Sequence, residues 1–181
     1  MDFRVVLQLI TEEFSKQDIR YAVIGGFALG ALGVPRATID MDLLIYREDW
    51  LRVDDIMKKK GYACVHKSDE VAQYVSALNI FGEVDFLLAH RNIARKMLEN
   101  AQVREVFSGK QKVKVLKAED VIGLKIQALV NNAARATKEY ADIESLLGYY
   151  KKDLDWALLE DYFKLFNLED KYSEYKTRFL C

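Results

Sequence analysis

Two carboxylates stand two residues apart, Asp40 and Asp42, in the run Thr38-Ile39-Asp40-Met41-Asp42-Leu43-Leu44-Ile45-Tyr46. The run reads as a strand. Side chains alternate faces along a strand, so the pair projects from one face while Met41, Leu43 and Ile45 point into a core. Leu44 continues the aspartate face, which turns apolar within one step. Like charges beside apolar surface repel each other and lose hydration. A divalent cation relieves both costs, and carboxylate oxygens suit a hard one such as Mg2+ or Mn2+. Upstream, Gly25-Gly26 closes an apolar run and opens a short helix, Phe27 to Leu32. A glycine turn feeding a helix lets backbone N–H groups approach an anion, with the positive end of the helix dipole behind them. Arg36 and Thr38 add a charge and a hydroxyl for phosphate oxygens. A phosphate site and a metal site in one short unit suggest a nucleoside triphosphate held with Mg2+. Each half alone also describes an ordinary turn or a solvated strand edge; the specificity lies in their ordered combination.

The elements that must position these residues follow from hydrophobic spacing. Tyr21 to Ile24 reads as a buried strand, and Gly33-Val34-Pro35 as the turn that leads into the aspartate strand. Residues 2–17 have the period of an amphipathic helix, with Val5, Val6, Leu9, Ile10 and Phe14 inward and Asp2 as its cap. Arg47 to Lys60 reads as a helix with Trp50, Leu51, Val53, Ile56 and Met57 inward, ended by Lys58-Lys59-Lys60-Gly61. Tyr62 to His66, Val71 to Ile80 and Val84 to Ala89 read as strands, the last two joined through Phe81-Gly82-Glu83 as a hairpin. Asp85 interrupts the last of these. It is either a strand-edge aspartate near water or a third carboxylate beside Asp40 and Asp42, and Glu83 shares its parity nearer the turn. His66 and His90 are not spaced as a metal pair, and residues 90–101 read as a helix. Val103 to Phe107 and Val113 to Leu116 flank a turn at Ser108-Gly109-Lys110.

From Lys117 on the pattern is helical throughout: Ala118 to Asn132, Thr137 to Tyr150, Leu154 to Phe166 and Leu168 to Phe179. Lys125 lies in an apolar stripe with Val121, Ile122, Ala128 and Leu129. A lysine there either snorkels its amine to water or aims it at bound phosphates. Asp142 is placed to pair with Lys125 or Arg135. The expected fold is α/β, of the α+β kind: a small mixed, twisted sheet with flanking helices over residues 1–116, then a C-terminal helical bundle over 117–181.

Composition narrows the rest. The 181 residues, half of them apolar or aromatic, suffice for a real core. A net charge of −1 gives no general field for nucleic acid, although Lys58–Lys60 and Lys110–Lys117 supply local basic stretches. Cys64 and Cys181 form neither a disulfide framework nor a zinc spacing. With no signal segment and no apolar run long enough for a bilayer, a cytoplasmic chain without a membrane partner is expected.

Ile24-Gly25-Gly26, followed after about a dozen residues by Asp40-Met41-Asp42, resembles the signature of the DNA polymerase beta-like nucleotidyltransferase superfamily. The form GGFALGALGVPRATIDMDLL is most similar to its stand-alone prokaryotic branch, which includes the abortive-infection type IV toxin and lincosamide nucleotidyltransferases. The likeness covers roughly residues 20–147 as an ordered series of motifs. It implies transfer of a nucleoside monophosphate from an NTP to a hydroxyl, with release of pyrophosphate. It assigns Asp40, Asp42 and Asp85 to catalysis and metal, with Asp85 deprotonating the acceptor. It assigns Gly25, Gly26, Arg36 and Thr38 to phosphate. The run VIGLKIQALVNNAARATKEYADIESLL resembles the helical half of the toxin relatives, which carries a motif lysine and aspartate onto Lys125 and Asp142. Many relatives place Ser or Thr directly after or within the glycine pair, where this chain has Phe27. The implied acceptor is RNA, such as a tRNA end, or a small molecule, with a protein hydroxyl as a third candidate. The alternative is a catalytically weak nucleotide-binding or protein-interaction module, for example a toxin–antitoxin component with an antitoxin partner.

Overall fold

The computed structural model describes residues 1–180, and its contacts divide the chain into two compact units, Met1–Leu116 and a second beginning at Lys117. The first holds a mixed seven-stranded sheet: β1 Tyr21–Val23, β2 Asp40–Tyr46, β3 Tyr62–Lys67, β4 Val71–Ser76, β5 Glu83–Ala89, β6 Gln102–Val106 and β7 Gln111–Val115, in the order β3-β4-β5-β2-β1-β7-β6. Four helices belong to it: α1 Phe3–Lys16, α2 Gly25–Ala31, α3 Trp50–Lys59 and α4 Asn92–Glu99. β2 sits centrally, antiparallel to β1 and parallel to β5. Met41, Leu43, Leu44 and Ile45 are all fully buried, as a strand walled on both faces requires.

Local chemistry explains the boundaries. Asp2 caps α1, its Oδ1 accepting from the N–H groups of Arg4 at 3.0 Å and Val5 at 3.2 Å. Gly61, at φ +83°, ends the turn after α3, a conformation that costs a residue with a Cβ. Lys58 and Lys59 pair with Asp54 and Asp55 one helical turn back, and Lys60 reaches Glu13, so this triple lysine is a solvated, paired helix end.

Several expectations need correction. α2 begins at Gly25 rather than Phe27, so both glycines lie within its first turn. β4 stops at Ser76, not Ile80: Phe81 N–H bonds to Leu78 C=O in a turn, and Leu78 and Ile80 face solvent. A 3-10 turn, Arg47–Asp49, precedes α3 and rotates its register, so Leu51 is exposed while Val53, Ile56 and Met57 are buried. In α1 the buried stripe includes Leu7 with Val6, Ile10 and Phe14; Val5 and Leu9 are only half-buried.

The second unit is helical: α5 Ala118–Asn131, α6 Ala136–Tyr150, α7 Trp156–Leu165 and α8 Glu169–Leu180. Asp155 caps α7 through Ala157 and Leu158 N–H. Gly123 lets the Tyr162 ring pack against α5, since a Cβ there would lie 3.0 Å from the ring. The Tyr162 hydroxyl donates to buried Asp120 at 2.5 Å. No helix among the described residues is long and apolar enough to cross a membrane.

Candidate active site

The parallel register of β2 and β5 sets Asp42 directly opposite Asp85, and Asp40 opposite Glu83. Because the side-chain period is two, all four carboxylates leave the same face of the sheet. Asp40, Asp42 and Asp85 are half-buried and offer one oxygen each within 4.8 Å of one another. Glu83 is exposed.

Each member is held from the side. Thr38 Oγ1 donates to Asp40 Oδ1 at 2.6 Å, and Gln73 Nε2, from β4, donates to Asp85 Oδ2 at 2.9 Å. Asp42 lies against the glycine turn: Ile24 N–H bonds to its backbone carbonyl at 3.0 Å. Gly25 has φ +64°, and a Cβ on it would lie 1.9 Å from Asp42 Oδ2. A Cβ on Gly26 would lie 2.7 Å from Thr38 Oγ1. Gly25 is therefore required by Asp42 and Gly26 by Thr38, independently of any phosphate. Burial pushes the Asp85 carboxyl above its ordinary value, Gln73 pulls it back, and the charges of Asp40 and Glu83 raise it further.

Arg36 Nη1 donates to the Ala37 carbonyl at 2.7 Å in the loop before Thr38. Phe27, directly after the glycine pair, packs on Phe3 and Phe107 with ring centroids 5.3 and 5.9 Å away. It joins α1, α2 and the turn after β6, and it contributes no polar atom.

Lys125 and Asp142 belong to the second unit. The Lys125 amine is buried and lies 2.6 Å from Asp142 Oδ2 and 2.9 Å from Glu139 Oε2. Arg135 Nη2 reaches the other Glu139 oxygen at 2.7 Å. The pairing of Lys125 with Asp142 is as expected, while Arg135 pairs with Glu139 instead. Sequence reasoning passed over two participants. Gln73 is the polar member of the Val71-Gln73-Val75 alternation, a signal that one strand face is not plain core. Glu139 stands three residues before Asp142, on the same side of a helix.

A family model described as uncharacterised nucleotidyltransferase matches residues 3–175. The antibiotic-resistance factor ANT(2'')-Ia has a similar structure, with TM-score 0.66, 16% identity and 98% of each chain covered. The lincosamide antibiotic adenylyltransferase LnuA, solved with lincomycin bound, is similar at TM-score 0.57 and 15% identity over 80% of this chain and 96% of that one. An antigenic nucleotidyltransferase-like protein from Paracoccidioides brasiliensis is similar at TM-score 0.59 and 19% identity, over 98% and 90%. At these identities the likeness is one of fold. No curated protein matches the sequence.

Proposed function

The chain belongs to the uncharacterised nucleotidyltransferase family, and from that membership we propose that it moves a nucleoside monophosphate from an NTP to a hydroxyl acceptor. The observation that carries this reading is the convergence of Asp40, Asp42 and Asp85 beside the Gly25-Gly26 turn.

The donor set fits a hard divalent cation. It consists of carboxylates alone, and the hydrogen bonds that orient Asp40 and Asp85 come from the neutral groups of Thr38 and Gln73. Mg2+ or Mn2+ would be held by Asp40, Asp42 and Asp85. When bound, such a cation neutralises charge on the phosphates and on the departing pyrophosphate. In the reaction the acceptor oxygen bonds to the α-phosphorus, the bond from that phosphorus to the bridging oxygen breaks, and pyrophosphate leaves. Asp85, its proton affinity raised by burial, assists removal of the acceptor proton. Arg36, Thr38 and the backbone N–H groups of Gly25 and Gly26 bind phosphate oxygens. Lys125 and Asp142 stand as further nucleotide-binding candidates. Glu139 and Asp142 take two of the three Lys125 amine hydrogens, and a phosphate oxygen would take the third.

The acceptor is RNA or a small molecule. The test incubates the full chain with Mg2+, each α-labelled NTP, and either total RNA or a small-molecule hydroxyl panel, with Asp40→Ala and Asp42→Ala alongside. Label transferred by the wild type and lost in both variants is the expected result. Transfer that persists in both variants overturns the site.

A further inference from the structure

β3 pairs antiparallel with β4, and its register shifts between Cys64 and His66. Cys64 stands opposite Tyr74, so an unbroken ladder would put Val65 opposite Gln73 and His66 opposite Ala72, whose face is fully buried. The extra residue changes this. His66, not Val65, stands opposite Gln73. Gln73 in turn stands opposite Asp85, and Asp85 opposite Asp42. One row, His66-Gln73-Asp85-Asp42, thus crosses four strands on the face that carries the carboxylates.

This side of β3, β4 and β5 is open where the other is closed. Tyr74, Val84 and Phe86 are fully buried, whereas His66 and Glu83 are exposed and Gln73 is half-buried. Around the polar row lie Val71, Val75 and Leu87, half-buried and aliphatic. The surface alternates C–H patches with hydrogen-bonding groups. By register, no Lys or Arg of β3, β4 or β5 points from this face: Lys67 pairs with Ala72 and lays its amine over the Trp50 ring. A phosphodiester chain needs cations to replace its counterions, and here it would meet Glu83 instead.

We propose that this open face is the acceptor subsite, that His66 and Gln73 are its hydrogen-bonding contacts, and that the acceptor is a hydroxyl-rich small molecule without phosphate. The proposal rests on the nucleotidyl-transfer reading, because the group that gives up its proton to Asp85 must sit beside Asp85. Gln73 then serves twice, orienting Asp85 through one amide hydrogen and meeting the acceptor with what remains. The β3 bulge is the device that brings His66 onto this face.

Two readouts test it on the full chain. In the first, a panel of neutral sugars and nucleosides is added without nucleotide while the His66 ring and Gln73 side-chain amide resonances are followed. Shifts at both support the subsite; shifts at neither overturn it, whether or not the protein turns over NTP. In the second, labelled transfer to the same panel and to total tRNA is measured for wild type and His66→Ala. The expected result is label on a small molecule, with its KM raised about five- to tenfold in His66→Ala and the thermal shift from Mg2+ and NTP intact. Label on tRNA alone, or an unchanged KM, overturns the proposal. Absence of any thermal shift in the wild type counts against the nucleotidyl-transfer reading, and the resonances still decide the subsite.

Discussion

Asp40 and Asp85 in the sheet, and Glu139 and Asp142 in the helical unit, are carboxylates drawn out of bulk water by the same chain. They are held by different kinds of neighbour. Thr38 and Gln73 donate neutral hydrogen bonds to the first pair. Lys125 and Arg135 bring full positive charges to the second, at 2.6 to 2.9 Å. Neutral donors fix a carboxylate's direction while leaving its charge to attract something else; cations in contact consume that charge. Asp40 and Asp85 are oriented by neutral donors, whereas Glu139 and Asp142 already have cations in contact.

Substitution can break this contrast, and the largest effect belongs to the paired cluster. Lys125→Met takes the buried ammonium away from Asp142 and from one oxygen of Glu139, and the expected loss is about 3–5 kcal/mol of stability, measured by urea denaturation. If Lys125 instead serves mainly to bind nucleotide, the variant keeps its stability and loses affinity for NTP. Gly25→Ala comes next. The new methyl group meets Asp42 Oδ2 at 1.9 Å in a backbone at φ +64°, and the expected result is loss of roughly 2–3 kcal/mol together with divalent-cation affinity. Tyr162→Phe leaves Asp120 buried without its donor and costs about 1–3 kcal/mol, read by the same denaturation curves.

The smallest expected effect has the opposite sign. Asp85 has a raised pKa in the fold, so the folded chain binds that proton more tightly than the unfolded one. Its contribution to stability is complete below the ordinary value of 3.8 and is lost as pH rises through the raised value. Without metal, Asp85→Asn removes that loss, and at pH 7 it melts at or above the wild-type temperature. Added Mg2+ raises the wild-type melting temperature and not the variant's. A variant less stable than wild type without metal would show that the cluster is no charge reservoir.

How much of this was legible depended on whether the determinant was local. Gly25-Gly26, Asp40 and Asp42 share one short stretch, and their alternation and turn chemistry could be read directly. Asp85 was visible as a polar break in an apolar strand, but its place opposite Asp42 needed the parallel register of β2 and β5. Gln73 faces Asp85 only through the β4–β5 register, and His66 reaches that row only through a bulge, a backbone event with no residue signature that moves one side chain across the sheet. The overlong reading of β4 failed for a related reason: Leu78 and Ile80 are apolar, yet a turn leaves both in water. In the helical unit the inward position of Lys125 was readable from its neighbours, while Glu139 was hidden by the usual expectation that a glutamate on a helix faces solvent.

The parallel pairing of β2 with β5 also bears on the order of folding. Asp42 and Asp85 lie on adjacent strands, but α3, β3 and β4 come between them along the chain. Closing a contact across such a separation carries a larger chain-entropy cost than closing the β3–β4 hairpin, so this pairing, on which the carboxylate cluster depends, slows the folding of the sheet.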